Sequence, residues 1–225
     1  MVSKMSRSAR SLRPAPGRPT REQAEQRHAQ LLESALELFL EHGYELTTIE
    51  EIIASIGMHK STMYSLYPDK KALFLASLQR AIVRWTLPVE AFKKLESDDL
   101  EQTLIAIARL RLANTVSAMG LKLQRILIAE SLRFPEITQM FWEQGVEPGF
   151  VYLTELLVKR ASRGEIEVDQ PELIAHGFFT LTVGLISRMV LMGTRIDQKA
   201  IEKRISLYVK LFLDGVRHRG NRRTR

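Results

Sequence analysis

The chain has 225 residues, of which 45% are hydrophobic, enough for a substantial buried core and a globular fold. It has no cysteine, which excludes disulfides, thiolate nucleophiles and thiolate zinc sites. The net charge of +7 sits at the ends: residues 1–27 hold seven basic and two acidic side chains, residues 217–225 hold five arginines, and the 189 residues between sum to −3.

Residues 1–20 are rich in Ser, Arg, Pro and Gly and too poor in apolar groups to fold, so a disordered basic arm is expected there. No apolar stretch follows it, which argues against a secretory signal and for a cytoplasmic chain starting near Met1. Leu31, Leu32, Ala35, Leu36 and Phe39 mark one face of an amphipathic helix that His42-Gly43 ends. A second helix opens at Thr48, where Thr48-Ile49-Glu50-Glu51 fits a capping box, and Gly57 stops it. A third, short helix is expected over 59–66, where Pro68 bars its continuation, and a fourth over 70–87 with Asp69 as N-cap. Further helices are expected at 89–95, 98–119, 121–134, 135–163, 171–193 and 197–216, and no alternating strand pattern occurs. The fold class is all-α. Within 173–193, His176 and Arg188 leave eleven residues between them. A membrane span needs roughly 20, so a buried helix and no membrane partner are expected.

The second and third helices, joined by a tight glycine turn, form a helix-turn-helix pattern. At about 100° per residue, Met63, Leu66 and Tyr67 share one face of the third helix. Ser61, Tyr64 and Ser65 point the other way, with Lys60 and Thr62 on the flanks. That face carries hydroxyls and a cation but no acid, which suits close approach to a major groove. Lys70 and Lys71 fall in the first turn of the fourth helix, where the backbone dipole favours anions. A bound external anion and plain solvation both account for them.

The stretch "LLESALELFLEHGYELTTIEEIIASIGMHKSTMYSLYPDKKALF", residues 31–74, resembles the DNA-binding region of the TetR (tetracycline repressor-like) family of bacterial transcription regulators. The resemblance implies that Thr48, Tyr64 and Lys70 bind phosphates and that His59, Lys60, Ser61, Thr62 and Ser65 lie along base edges. Ile53 stands where the family usually has alanine, implying a slightly different spacing or angle of the two short helices. Tyr67 stands where phenylalanine is usual. Leu66 occupies a position often held by an aromatic residue or histidine that touches DNA, and that contact is not carried over. Lys71 has no family counterpart and is read as a solvated surface charge. In the arm, Gly17-Arg18-Pro19 resembles minor-groove hooks in which an arginine such as Arg18 enters a narrow A·T groove; a solubilising arm is the alternative.

The same resemblance implies a ligand-binding and dimerisation domain after about residue 88. The expected organisation is an arm over 1–20, a three-helix DNA-binding domain over 21–68, a connecting helix over 69–87, a larger helical domain over 88–216 and a basic tail over 217–225, about nine helices in all. Gly177, Thr180, Gly184 and Ser187 recur at heptad spacing on a helix apolar all round, and Ile201, Ile205, Tyr208 and Phe212 stripe the last helix. These two helices fit a four-helix homodimer interface, or packing within one subunit. Residues 129–145, "AESLRFPEITQMFWEQG", resemble one TetR subgroup around Glu130 and Phe134-Pro135-Glu136. Phe141, Trp142, Phe150, Phe178 and Phe179 suit an apolar cavity, with Arg125, Glu130 or His176 as polar handles; each also fits an ordinary core or surface role.

The five histidines show no metal-binding spacing, and no nucleophile or phosphate-loop motif occurs, so neither an enzyme nor a cofactor or metal site is expected. Basic tails alone would also fit a constitutive DNA-architectural or membrane-surface protein. The acidic body and the large apolar second half argue against that. The expected function is a homodimeric repressor that binds a palindromic operator and is released by a small, largely apolar effector.

Overall fold

The computed structural model describes residues 20–216; the arm with Arg18 and the tail over 217–225 lie outside the described residues. Every regular element among the described residues is helical. α1 (Arg21–Leu46) starts where Thr20 and Gln23 cap one another reciprocally, and it buries Leu31, Leu32, Ala35, Leu36 and Phe39 along one stripe. Its regular part breaks at Gly43, whose φ of +81° an L side chain rarely adopts. α2 (Ile49–Ser55) and α3 (Lys60–Leu66) follow, with Gly57 turning the chain between them at φ +60°. Ile53 is half-buried and packs on the core beneath the two short helices. α4 (Lys70–Trp85) is capped by Asp69, whose carboxylate accepts from the Ala72 N–H at 2.7 Å. It turns Leu73, Phe74, Leu78, Ala81, Ile82 and Trp85 inward.

The chain continues through α5 (Val89–Lys93), α6 (Leu100–Thr115), α7 (Ala118–Glu130), α8 (Pro135–Phe141), α9 (Glu147–Ser162), α10 (Pro171–Phe179), α11 (Leu185–Leu191) and α12 (Gln198–Val216). α6 and α7 meet at a bend of 66°. Two wider π-type turns, Trp142–Val146 and Thr180–Gly184, join α8 to α9 and α10 to α11 without interrupting the helix. Counting each joined run once and leaving aside the five-residue α5, the described residues make nine helices.

The buried apolar residues form two cores. One unites α1 to α4 with Leu123 and Ile126 of α7 and with Phe134 and Ile137, so the N-terminal part is completed by side chains from far along the chain. At its centre Phe74 meets Phe39, Tyr44 and Phe134 at ring-centroid distances of 4.9, 5.0 and 5.4 Å. The other core is built by α5, α6 and α9 to α12.

Two expectations about the C-terminal helices need correction. The run Pro171–Leu191 has 21 residues and a mean hydropathy of 1.5, long and apolar enough by length and composition to cross a membrane. It is not buried on every side. Phe178, Phe179, Val183 and Ile186 enter the second core, while Leu173, His176, Gly177, Thr180, Leu181, Gly184, Leu185 and Arg188 form an exposed face. Ser187 lies on the buried side, its hydroxyl donating to the Gly184 carbonyl at 3.0 Å. On α12, Ile205 and Phe212 are likewise internal, Phe212 packing edge-on to Phe178 at 5.0 Å, and Ile201 and Tyr208 are half-buried. The apolar residues that α12 exposes are Leu207 and Leu211. This helix is apolar on two faces, and burial within the subunit takes the one with more apolar side chains, Ile205, Val209, Phe212 and Leu213.

Candidate nucleic-acid interface and cavity

α3 is held from beneath by fully buried Met63 and by half-buried Tyr67, whose hydroxyl lies 2.6 Å from the His28 ring nitrogen. His59, Lys60, Ser61, Thr62, Tyr64 and Ser65 are all exposed, so the hydroxyl-rich face stands clear of the domain. Leu66, expected on the inner face, is 45% exposed, because a seven-residue helix rests on α2 and α1 through little more than Met63. Ser65 Oγ donates to the Thr62 carbonyl at 2.7 Å. The face is acid-free along α3 itself, yet Glu50 of α2 borders it and pairs with Lys60 Nζ at 2.5 Å. That hydrogen bond raises the Lys60 pKa and lowers that of Glu50. Thr48 is the N-cap of α2: its hydroxyl accepts from the Glu51 N–H at 3.2 Å and donates to the Glu51 carboxylate at 2.9 Å.

Lys70 does not point outward. Its ammonium donates to the carbonyls of Tyr44, Glu45 and Thr47 at 2.9, 3.3 and 3.0 Å and lies 4.3 Å from the Tyr44 ring centre. An ammonium has three protons, so the expected phosphate clamp is replaced by a cap on the carbonyls that the break of α1 leaves open. Lys71 is not merely solvated either. It pairs with Glu136 at 2.6 Å and lies over the Phe134 ring.

Around these lysines the segment from Glu130 to Glu136 clasps the N-terminal part. Glu130 accepts from the Tyr44 N–H at 3.3 Å, Arg133 pairs with Glu45, and Phe134 packs edge-on to Tyr44 at 4.7 Å. Glu130 is therefore a junction residue and not a cavity residue, and Arg125 is exposed on α7.

A cavity of about 220 Å³ lies where α4, α6, α7, both π-type turns and α9 converge. Of the residues expected there, Phe141, Phe150 and Phe179 line it, whereas Phe178 is buried in the second core. Trp142, tilted, and His176, edge-on, contact Phe150 at 5.4 and 4.5 Å from outside the lining, both on the exposed side. The sequence reading missed Trp85, Arg111, Val146 and Val183. Trp85 stacks on Phe141 at 5.4 Å and is tied to α6 by reciprocal bonds with Asn114, Nε1 to O at 3.0 Å and Nδ2 to O at 3.2 Å. Gly145 packs against the same wall, where an added Cβ would lie 3.1 Å from Ile82 and 3.4 Å from Trp85. Arg111 is 7% exposed and lies 5.5 Å from the Trp85 ring. Its position was signalled by an arginine on the apolar stripe of Leu104, Ile107, Ala108 and Leu112.

A glycine-turned pair of short helices presenting an exposed hydroxyl-rich face, joined by one helix to a larger helical body with a cavity, defines a helix-turn-helix DNA-binding regulator. Two family models match: "Bacterial regulatory proteins, tetR family" over residues 31–77 and "AefR-like transcriptional repressor, C-terminal domain" over residues 102–215. The chain belongs to the TetR family of bacterial transcriptional regulators. It is 34% identical over 73 residues to the transcriptional repressor ComR of Escherichia coli, covering 32% of this chain and 35% of ComR. With the uncharacterized regulator Rv1556 of Mycobacterium tuberculosis it shares 26% identity over 140 residues, covering 62% of this chain. The chain thus spans about a third and about two thirds (65%) of the lengths of these relatives. Among solved structures, a TetR-family regulator from Mesorhizobium loti superposes with a TM-score of 0.77 at 24% identity, covering 89% of this chain and 100% of that one. The flavonoid-responsive regulator FrrA superposes with a TM-score of 0.72 at 27% identity, covering 87% and 100%.

Proposed function

We propose that this DNA-binding regulator is a cytoplasmic repressor that binds a palindromic operator as a homodimer and is released by a small ligand in the cavity beside Trp85. The observation that carries this reading is α4. It starts beside the helix-turn-helix and ends at Trp85 in the cavity wall, about 24 Å away at 1.5 Å per residue. A ligand that displaces Trp85 acts on the same rigid element that sets the attitude of α3. Release then requires the ligand to prefer the non-binding attitude.

Ser61, Thr62 and Tyr64 are the residues we assign to base edges and phosphates, with His59 and Ser65 beside them. Thr48 and Lys60 contribute once their pairings with Glu51 and Glu50 yield to phosphate. Gly177, Thr180, Leu181, Gly184 and Leu185, with Leu207 and Leu211, are the apolar face we assign to the dimer. The flavonoid response of FrrA supports a ligand with an aromatic ring.

Binding of a labelled fragment from upstream of the protein's own gene, followed by fluorescence anisotropy, tests the reading. The expected result is tight binding that falls steeply with salt. Ser61→Ala and Thr62→Ala should each change the consensus selected from random DNA. An unchanged consensus in both variants overturns the assignment of α3 as the reading helix.

A further inference from the structure

The cavity wall is largely apolar, and its one charged side chain, Arg111, has no counter-ion there. Thr115 and Thr180 donate their hydroxyls to the carbonyls of Arg111 and His176 at 2.8 Å each, and Gln124 donates to the carbonyls of Thr115 and Gly120. The Arg111 guanidinium has five N–H donors. Its one hydrogen bond among the described residues is a long contact of 3.5 Å to the Gly145 carbonyl, and no acidic side chain lines the cavity. Burial accordingly lowers its pKa from 12.5 to about 10. A buried cation without a counter-ion is unfavourable, and a planar fork of donors matches a carboxylate. The rest of the wall is aromatic: Trp85, Phe141, Phe150 and Phe179. An apolar cavity of about 150 Å³ holds a benzene ring, so one of about 220 Å³ has room for a ring and a short acidic arm.

We propose that this cavity takes a small aromatic carboxylate, its ring against Trp85 and Phe179 and its carboxylate on the Arg111 guanidinium. The proposal rests on the reading of the cavity as the effector site and specifies the chemistry of that effector. A neutral ligand leaves Arg111 without a counter-ion.

The test uses trans-cinnamate and its uncharged counterpart cinnamamide, titrated calorimetrically into the full-length protein. Cinnamate should bind at least about tenfold more tightly, the advantage expected of a charge-assisted bond to a buried guanidinium. Arg111→Met should abolish that preference and Arg111→Lys should retain part of it. In Trp142→Phe, which leaves Trp85 as the remaining tryptophan, cinnamate should still quench the fluorescence saturably. Equal affinity for the two probes, a preference that survives Arg111→Met, or no binding of cinnamate, benzoate or naphthoate at millimolar concentration overturns the proposal. The first of these outcomes is read on the unmodified protein, so it stands even where Arg111→Met fails to fold. Operator release is measured separately. Binding through Arg111 without release overturns the effector reading alone, and release by a ligand indifferent to Arg111 overturns the carboxylate proposal alone.

Discussion

Lys70 and Arg111 are both cations held inside the fold, and their surroundings assign them opposite roles. Lys70 has its three protons on backbone carbonyls and stands over the Tyr44 ring, so it is structurally satisfied without DNA. Lys70→Ala should therefore lower stability by about 1–3 kcal/mol, the range for hydrogen bonds to a charged group. The salt slope of DNA binding should stay unchanged. Denaturant unfolding and a salt titration together check this; a slope reduced by about one with stability intact would restore the phosphate clamp. Arg111 has the opposite balance. Its lowered pKa means that the unfolded chain holds the proton more tightly than the folded one, so the ionised form is a cost to the ligand-free fold at neutral pH. Arg111→Met should raise the unfolding free energy of the ligand-free protein by about 1–3 kcal/mol, as replacement of buried charges by apolar side chains often does.

At the level of elements, the junction between the two halves is the segment from Glu130 to Glu136 folded onto Tyr44, Lys71 and Phe74. Phe134 belongs to the N-terminal core although it is separated from α4 by almost fifty residues of chain, so any movement of α7 and α8 bears directly on α4. Phe134→Leu keeps an apolar side chain in place but loses the ring contacts with Tyr44 and Phe74. Ligand affinity should stay within about twofold of the original, while the ligand-driven loss of operator affinity should fall by about tenfold, near the middle of usual coupling strengths. Parallel calorimetric and anisotropy titrations check this. Undiminished release would place the coupling in α4 alone. The exposed Lys71–Glu136 pair contributes orientation more than stability, since both side chains remain well solvated.

At the level of the molecule, Leu173, Leu181 and Leu185 of the run Pro171–Leu191 and Leu207 and Leu211 of α12 are exposed apolar side chains outside both cores, the kind of surface that a partner copy covers. Leu181→Glu combined with Leu211→Glu should convert a dimer into a monomer without unfolding it, because both positions lie outside the cores. Sedimentation velocity checks the mass. The affinity for a two-half-site operator should fall by at least about a hundredfold as the second head is lost. An unchanged mass would move the interface elsewhere.

Local signals in the sequence determined the all-α class, the first four helices with their caps and breaks, the helix-turn-helix and its exposed hydroxyl-rich face. Apolar periodicity, Thr48 and Asp69 as caps, and Gly43 and Gly57 as breaks all act within a few residues, so they can be read in order along the chain. The tertiary structure decided where the lysines of α4 point, which stripe of α12 faces inward, and that Glu130 belongs to a junction while Arg111 belongs to a cavity. Each of these depends on a partner brought from 23 or more residues away: the Thr47 carbonyl for Lys70, Phe178 for Phe212, the Tyr44 N–H for Glu130, and the Gly145 turn for Arg111. A charge or an apolar side chain signals in sequence only that it needs a partner. Which partner it finds, or that it finds none, is a property of the packed helices.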